Sequence, residues 1–201
     1  NTQSKHIIFF SEGSNHWPHL QDIILHITKK NKIFYISLDK NDKGLKINNK
    51  NIYGFHISNK FILHIFFKYI DNSIIFTSLP DLGTEYFQKY IEKNNLFVYI
   101  FHSVASTHVQ YNEKAFANFD IFLCPTKYHV RELEIFQEIN NIKFKKLYKF
   151  GYPRIDSLKK YKDNNETEKY TILFAPSWGD NNILKIKGLE IIENILSDEK
   201  Y

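Results

Sequence analysis

The sequence contains no methionine and a single cysteine. With Cys124 alone, no internal disulfide can form, and its place inside an apolar strand pattern reads as a small core residue in a reducing compartment. No apolar run is long enough to cross a bilayer; the longest, Phe61 to Phe67, is interrupted by His64. No signal-peptide pattern opens the chain. Beginning at Asn1 without methionine, the chain reads as a processed or excised piece of a longer protein. Arginine is scarce beside lysine, and no Arg-rich patch alternates with aromatics, so nucleic acid is not an expected partner. There is no GxGxxG turn, no Walker loop and no GxSxG elbow. Ser103, Ser106 and Cys124 therefore lack the setting of a hydrolase nucleophile.

What is present is an alternation of buried-strand and helix patterns over 201 residues, enough for one core or for one domain and the start of another. The net charge of +5 is carried by dispersed lysines, which solvate the surface and lean weakly toward phosphate-bearing partners. The chain is organised around Leu96 to Thr126. Leu96 to Phe101 is too short and too apolar to be amphipathic and reads as a parallel strand covered on both faces. It ends at His102-Ser103, a loop carries Ser106, Thr107 and His108, and a second buried run, Phe119 to Cys124, stops at Pro125. Ligands of open α/β sheets bind beyond the carboxyl ends of the strands, which is where His102 falls.

In chain order, strands are expected at His6–Phe10, Ile33–Leu38, Ile52–Ile57, Ser73–Thr77, Leu96–Phe101, Asp120–Cys124 and Lys146–Phe150. Between them come a helix entered through Pro18 and a helix capped by Ser58 or Asn59 and running to Tyr69. Helices capped by Thr84 to Ile91, over Tyr111–Asn118 and over Tyr128–Glu138 follow. The helix ending at Tyr69 is apolar nearly all round, which predicts burial on most sides or, as the alternative, contact with a partner or a membrane surface. After Gly151-Tyr152-Pro153-Arg154-Ile155-Asp156 and a short helix, residues 163–169 are the best linker. A further strand, Thr171–Ala175, and a helix, Gly188–Leu196, follow it. The organisation predicted is a Rossmann-like domain over 1–162, with a doubly wound, mostly parallel sheet, and the first βα unit of a second such domain over 170–201.

His102 is the leading catalytic candidate, because a neutral imidazole can take a proton from a hydroxyl near neutral pH. A strand-end histidine bonded to backbone is the plain alternative. His108 is separated from it by six residues of loop and reads as a binding residue or an exposed one. His16 and His19, three apart at a helix start, read as solvent-facing, with no third metal ligand evident. Glu12-Gly13 after the first strand suits close approach by a phosphate or a hydroxyl substrate, or is a tight turn. Arg154 at a cleft mouth can clamp phosphate and Asp156 can bond helix amides, or the segment is a hinge. Ser177 can cap or touch phosphate, and Trp178 can stack or pack.

His102-Ser103, Asp120 before a buried strand, GYPRID at 151–156 and ILFAPSW at 172–178 together resemble the CDP-glycerol glycerophosphotransferase family, the teichoic-acid and capsule polymerases. The resemblance runs from Val98 to Trp178 and is one of pattern only over the first ninety residues. It implies the GT-B fold, of which this chain would hold the amino-terminal, acceptor-side domain and the beginning of the nucleotide-binding one. It implies His102 as the base that deprotonates the acceptor hydroxyl, although Ser103 stands where the family usually has glycine; on this reading Ser103, Ser106 and Glu12 line the acceptor side, and Arg154 and Ser177 flank the cleft. Arg154 and Asp156 match the family's hinge motif, and Ser177-Trp178 its Ala-Pro-(Thr/Ser)-Trp, followed here by Gly179 in place of arginine. The implied reaction moves glycerol phosphate or a related alditol phosphate from a CDP-activated donor to a cell-surface glycan or glycolipid. The implied location is the cytoplasm, peripheral on the inner face of the cell membrane. No resident cofactor or metal is expected, and this piece alone is expected to be inactive. The alternatives are a GT-B glycosyltransferase or an epimerase acting on a nucleotide sugar, or a non-catalytic domain binding glycan or a partner.

Overall fold

The computed structural model describes residues 4–80, 82–84, 86–112, 114–159, 173–176, 179–180 and 182–197. Two compact units divide at Lys160/Tyr161.

The first unit is built on seven strands: β1 (His6–Ser11), β2 (Ile33–Ser37), β3 (Ile52–His56), β4 (Ser73–Thr77), β5 (Leu96–Ile100), β6 (Ile121–Cys124) and β7 (Lys146–Lys149). Every pairing is parallel, in the order β3-β2-β1-β4-β5-β6-β7. This is an α/β, Rossmann-like sheet whose direction of build reverses between β1 and β4, so a crevice opens at their carboxyl ends. The strands read as apolar runs because both faces are covered. Ile8 and Phe10 join the core on one side with Tyr99, Phe101 and Phe122, while Phe9 packs on the other with Trp17, Leu20, Ile24 and Tyr35. Each of these large side chains contributes about 1.5–3 kcal/mol by leaving water.

Helix α1 (Trp17–Ile27) has proline in its first turn and buries Trp17, Leu20, Ile23 and Ile24 at helical spacing. Helix α4 (Lys127–Asn140) is capped by the Thr126 hydroxyl, which accepts from the Tyr128 N–H at 3.1 Å, and ends on Asn141 in the left-handed conformation. Helix α5 (Pro153–Lys159) follows Gly151, whose φ of +95° turns the chain out of β7 as few other residues would. Asp42 is wholly buried where the chain leaves β2. Its carboxylate accepts from Tyr35, Ser37 and Ser11 hydroxyls and from the Gly44 N–H, tying the β1 and β2 ends together.

Three expectations fail here. Helix α2 (Lys60–Tyr69) is capped by Asn59 but buries only Leu63 and Phe67; Phe61 and Tyr69 are each 69 % exposed and Ile62 52 %. Leu63 and Phe67, at i and i+4, meet the core, Phe67 against Phe10 of β1 and Phe97 of β5, and Phe66 packs half-buried beside them, while Phe61, Ile62, Ile65 and Tyr69 face outward. No helix forms over residues 84 and 86–91. Gly83 donates its N–H to the Phe87 carbonyl at 2.8 Å, opposite in sense to a helical bond, so the segment closes as a loop with Phe87 as its buried plug. The helix expected over Tyr111–Asn118 is replaced by a single earlier turn, α3 (Thr107–Gln110). Tyr111 is extended, φ −120° and ψ 150°, with its hydroxyl accepting from that of Tyr99 at 3.2 Å.

In the second unit, α6 (Ile183–Leu196) begins five residues before the expected start, because the Asn182 side chain accepts from the Lys185 N–H at 3.1 Å. It is kinked at Lys187, φ −143°. Residues 173–176 form no strand. Thr171 and Ile172 of that expected strand, and the linker 163–169, lie outside the described residues.

Candidate functional site

The carboxyl edge of the sheet brings together four segments that are far apart in sequence, those following β1, β4, β5 and β7. β5 runs into the buried Phe101 and then His102. The His102 Nδ1 stands 3.0 Å from the main-chain carbonyl of Ser78, the residue after β4. A carbonyl only accepts, so Nδ1 carries the proton and donates it, and Nε2 holds the lone pair. Burial lowers the pKa of His102, with the Ser78 bond pulling weakly the other way. The ring is therefore neutral, oriented and basic at Nε2.

His16 and His19 flank this ring, each with its centroid 6.0 Å from that of His102. Trp17 packs edge-on against Tyr35 at 5.7 Å and fixes the first turn of α1, so the two histidines on that turn face the sheet edge rather than solvent. The solvent-facing expectation for them is thereby overturned. His16 Nδ1 lies 2.7 Å from the buried Ser78 hydroxyl, and its Nε2 lies 4.0 Å from a Glu12 carboxylate oxygen. Burial lowers its pKa, which Glu12 partly offsets. His19 Nδ1 lies 3.0 Å from the Tyr152 hydroxyl, which donates its single proton to the His102 carbonyl at 2.9 Å. Tyr152 must then accept from His19, so the proton of His19 is also on Nδ1. Burial, then Arg154, then the other two histidines, bring the His19 pKa down to about 4.

The remaining expected site residues divide. Glu12 and Gly13 border a polar hollow of about 250 Å³ with Ser14, Asn15, His16 and Asp39; a Cβ on Gly13 would meet Asp39 Cβ at 3.1 Å. The Tyr86 hydroxyl donates to Glu12 at 3.2 Å. Arg154 stands in the first turn of α5, close enough to depress His19, with Asp156 exposed on the same turn. The Asp22–Ser157 hydrogen bond holds that helix against α1. Ser103 donates to Gln110. Ser106 donates to Glu132 at 2.7 Å, and Thr107 gives the same carboxylate its N–H at 2.8 Å and its hydroxyl at 2.7 Å. His108 is exposed beside a different hollow, with Tyr111, Asn112 and Phe136. The rings of His16, His19 and Tyr111 pack around His102, and the Tyr99 hydroxyl lies 3.4 Å from its Nδ1. The structure thus does not bring Ser106 or His108 to His102. Ser177 and Trp178 lie outside the described residues.

Cys124 is buried, and its thiol is pushed up to about 12 by that burial, with the Glu134 charge adding to it, so it is no nucleophile at neutral pH. Asp120, at the start of β6, accepts from the Phe97 N–H at 2.9 Å and pairs with Lys89 at 2.9 Å; it anchors the opposite end of the strand from the site. Among the described residues no three histidine, cysteine or carboxylate side chains are placed to hold a metal ion.

Residues 101–200 match the family model of the CDP-glycerol:poly(glycerophosphate) glycerophosphotransferases. The chain belongs to that family. No curated protein and no solved structure matches it. The family match begins at Phe101, one residue before His102, and so covers His102, Tyr152 and Arg154 but not His16, His19 or Ser78. A transferase of the glycerophosphotransferase type follows from membership, with a nucleotide-activated donor and a glycan acceptor as its two substrates. Sequence reasoning missed the roles of His16, His19, Ser78 and Tyr152. The one signal for the first two was their i, i+3 spacing at a proline-started helix, directly after a buried strand.

Proposed function

We propose that this glycerophosphotransferase-family chain carries the acceptor side of an enzyme that moves glycerol phosphate, or a related alditol phosphate, from a CDP-activated donor to a cell-surface glycan or glycolipid. The observation that carries the reading is the His102 imidazole, with Nδ1–H committed to the Ser78 carbonyl and Nε2 left as base. In the step, Nε2 takes the proton of an acceptor hydroxyl while its oxygen attacks the phosphorus bearing the alditol. The new P–O bond forms as the pyrophosphate P–O bond breaks, and CMP leaves with the electron pair. Positioning and charge supply most of such a step. Arg154, on the same edge, suits a phosphoryl oxygen. No metal or cofactor enters the reading.

A lipid-linked acceptor calls for a membrane surface, and we place this chain on the inner face of the cell membrane. Among the described residues no helix is long and apolar enough to cross a bilayer. The outward face of α2, with Phe61, Ile62, Ile65 and Tyr69 accompanied by Lys60 and Lys68, supports a peripheral contact with anionic lipid.

The deciding experiment measures nucleotide release by the full-length protein from CDP-glycerol, CDP-ribitol and common nucleotide sugars. CMP release that requires His102 is expected. Nucleoside-diphosphate release would reassign the protein to glycosyl transfer, and no release from any donor would leave a binding domain.

A further inference from the structure

His19 is the unabsorbed feature of the site. Its Nδ1 proton is held by Tyr152, and no hydrogen bond to its Nε2 is present among the described residues. The same is true of the Nε2 of His102. No buried side-chain nitrogen or oxygen among the described residues lacks a partner, so both unpaired Nε2 atoms reach solvent. Two neutral imidazoles, 6.0 Å apart between centroids and 74° between planes, thus each keep an open lone pair. His16 does not belong to this pair, since its Nδ1 is taken by Ser78 and its Nε2 faces Glu12.

Two adjacent lone pairs accept from two hydroxyl groups or from a cation. The Arg154 charge felt at His19 opposes a cation and suits an anion. A ligand that satisfies all three groups carries neighbouring hydroxyls next to a phosphate. We propose that His19 is a second substrate-contacting residue, whose Nε2 accepts the hydroxyl adjacent to the one His102 deprotonates. This selects a vicinal-diol phosphate at the acceptor terminus. Tyr152 is the positioning residue of the pair: one hydroxyl donates to the backbone of His102 and accepts from His19, setting the backbone of one and the tautomer of the other. The inference rests on the alditol-phosphate reading for its substrate class and on the two imidazoles for its residue.

The test is binding of sn-glycerol 3-phosphate and of 3-hydroxypropyl phosphate, which lacks the middle hydroxyl, to the full-length protein. Loss of one hydrogen bond to a neutral acceptor predicts about a fivefold to tenfold preference for the diol. His19→Ala should abolish that preference, and His19→Gln, which keeps an acceptor oxygen, should restore part of it. In ¹⁵N imidazole spectra the wild type should show Nδ1–H for both rings. Tyr152→Phe should release the His19 tautomer and leave that of His102, still held by Ser78. Equal binding of the two probes by the wild type, binding of neither, or a diol preference that survives His19→Ala would overturn the proposal. Absence of CMP release from CDP-glycerol, with a diol preference that still tracks His19, would sink the proposed reaction and leave this site standing.

Discussion

His102 follows β5 and His129 stands in the first turn of α4, after β6, and the two are partnered in opposite ways. His129 is 4 % exposed, stacks edge-on at 5.0 Å against Phe101, and has both nitrogens engaged. Its Nε2 lies 3.1 Å from the Ala105 carbonyl and its Nδ1 2.9 Å from the Thr126 hydroxyl. It fastens the loop to α4 and has no lone pair left for chemistry. His102 is half-buried and uses one nitrogen, leaving the other open. Position after a buried strand does not separate a base from a structural histidine; the number of nitrogens already in use does.

Replacing each residue by alanine should break the comparison cleanly. His102→Ala removes the base and should cost about a hundredfold or more in CMP release by the full-length protein. Its thermal midpoint should move little, since one hydrogen bond to a main-chain carbonyl is lost at a half-open site. An active His102→Ala protein would remove this residue from the mechanism. His129→Ala should do the reverse. It leaves a cavity and deprives the Ala105 carbonyl of its donor, which together cost about 2–4 kcal/mol of stability, read as a lowered urea midpoint. The turnover of the fraction that remains folded should stay near that of the wild type.

Much of this architecture was legible in the chain, and the reasons are physical. The seven parallel strands were readable because a strand covered on both faces must be an apolar run, and Leu96 to Ile100 is one. His102 was readable because the strand's end defines the sheet's edge. His16 and His19 were not, because their place at the site depends on β1 lying next to β4, a long-range pairing that local pattern does not encode. The expected helix after Thr84 failed for a related reason: Phe87 is drawn into the core beside Phe10 and Phe67, and that packing overrides a cap followed by neutral propensity. The apolar girth of α2 was visible, but which of its residues meet the core is decided by the tertiary packing of Leu63 and Phe67 on the sheet. Phe61→Ser with Tyr69→Ser should leave the urea midpoint nearly unchanged and reduce flotation with anionic vesicles. Unchanged flotation would detach membrane binding from this helix.

Acid should sharpen the contrast between the site and the rest of the molecule. His16, His19 and His102 all have folded pKa values below the ordinary imidazole value, through burial first. Between the ordinary and the folded value the unfolded chain binds protons that the folded one refuses, so stability is full above about 6.5 and falls as the pH drops toward the His19 value of about 4. A thermal midpoint that declines across this window is expected. His19→Gln, which carries no titrating ring, should flatten part of the decline, and an unaltered slope would mean that His19 is not held neutral. The acid limb of the pH–rate profile should likewise fall below the ordinary imidazole range, because burial keeps His102 unprotonated.

The smallest effects are expected in the loop itself, and they test whether nearness in sequence to the base carries function. Ser106 and His108 lie four and six residues beyond His102, yet Ser106 gives its hydroxyl to Glu132 and His108 faces another hollow. Glu132 also receives the N–H and hydroxyl of Thr107, and these bonds outweigh the effect of burial to hold its carboxyl below the usual carboxylate range. Ser106→Ala removes one of three donors to that carboxylate and should cost roughly 1 kcal/mol of stability with little change in rate. His108→Ala should leave stability and CMP release within about twofold of the wild type, the range of a surface substitution away from packing and caps. A large loss of rate in His108→Ala, with stability intact, would show that the loop closes onto the substrate and that the acceptor reaches beyond the three histidines at the sheet's edge.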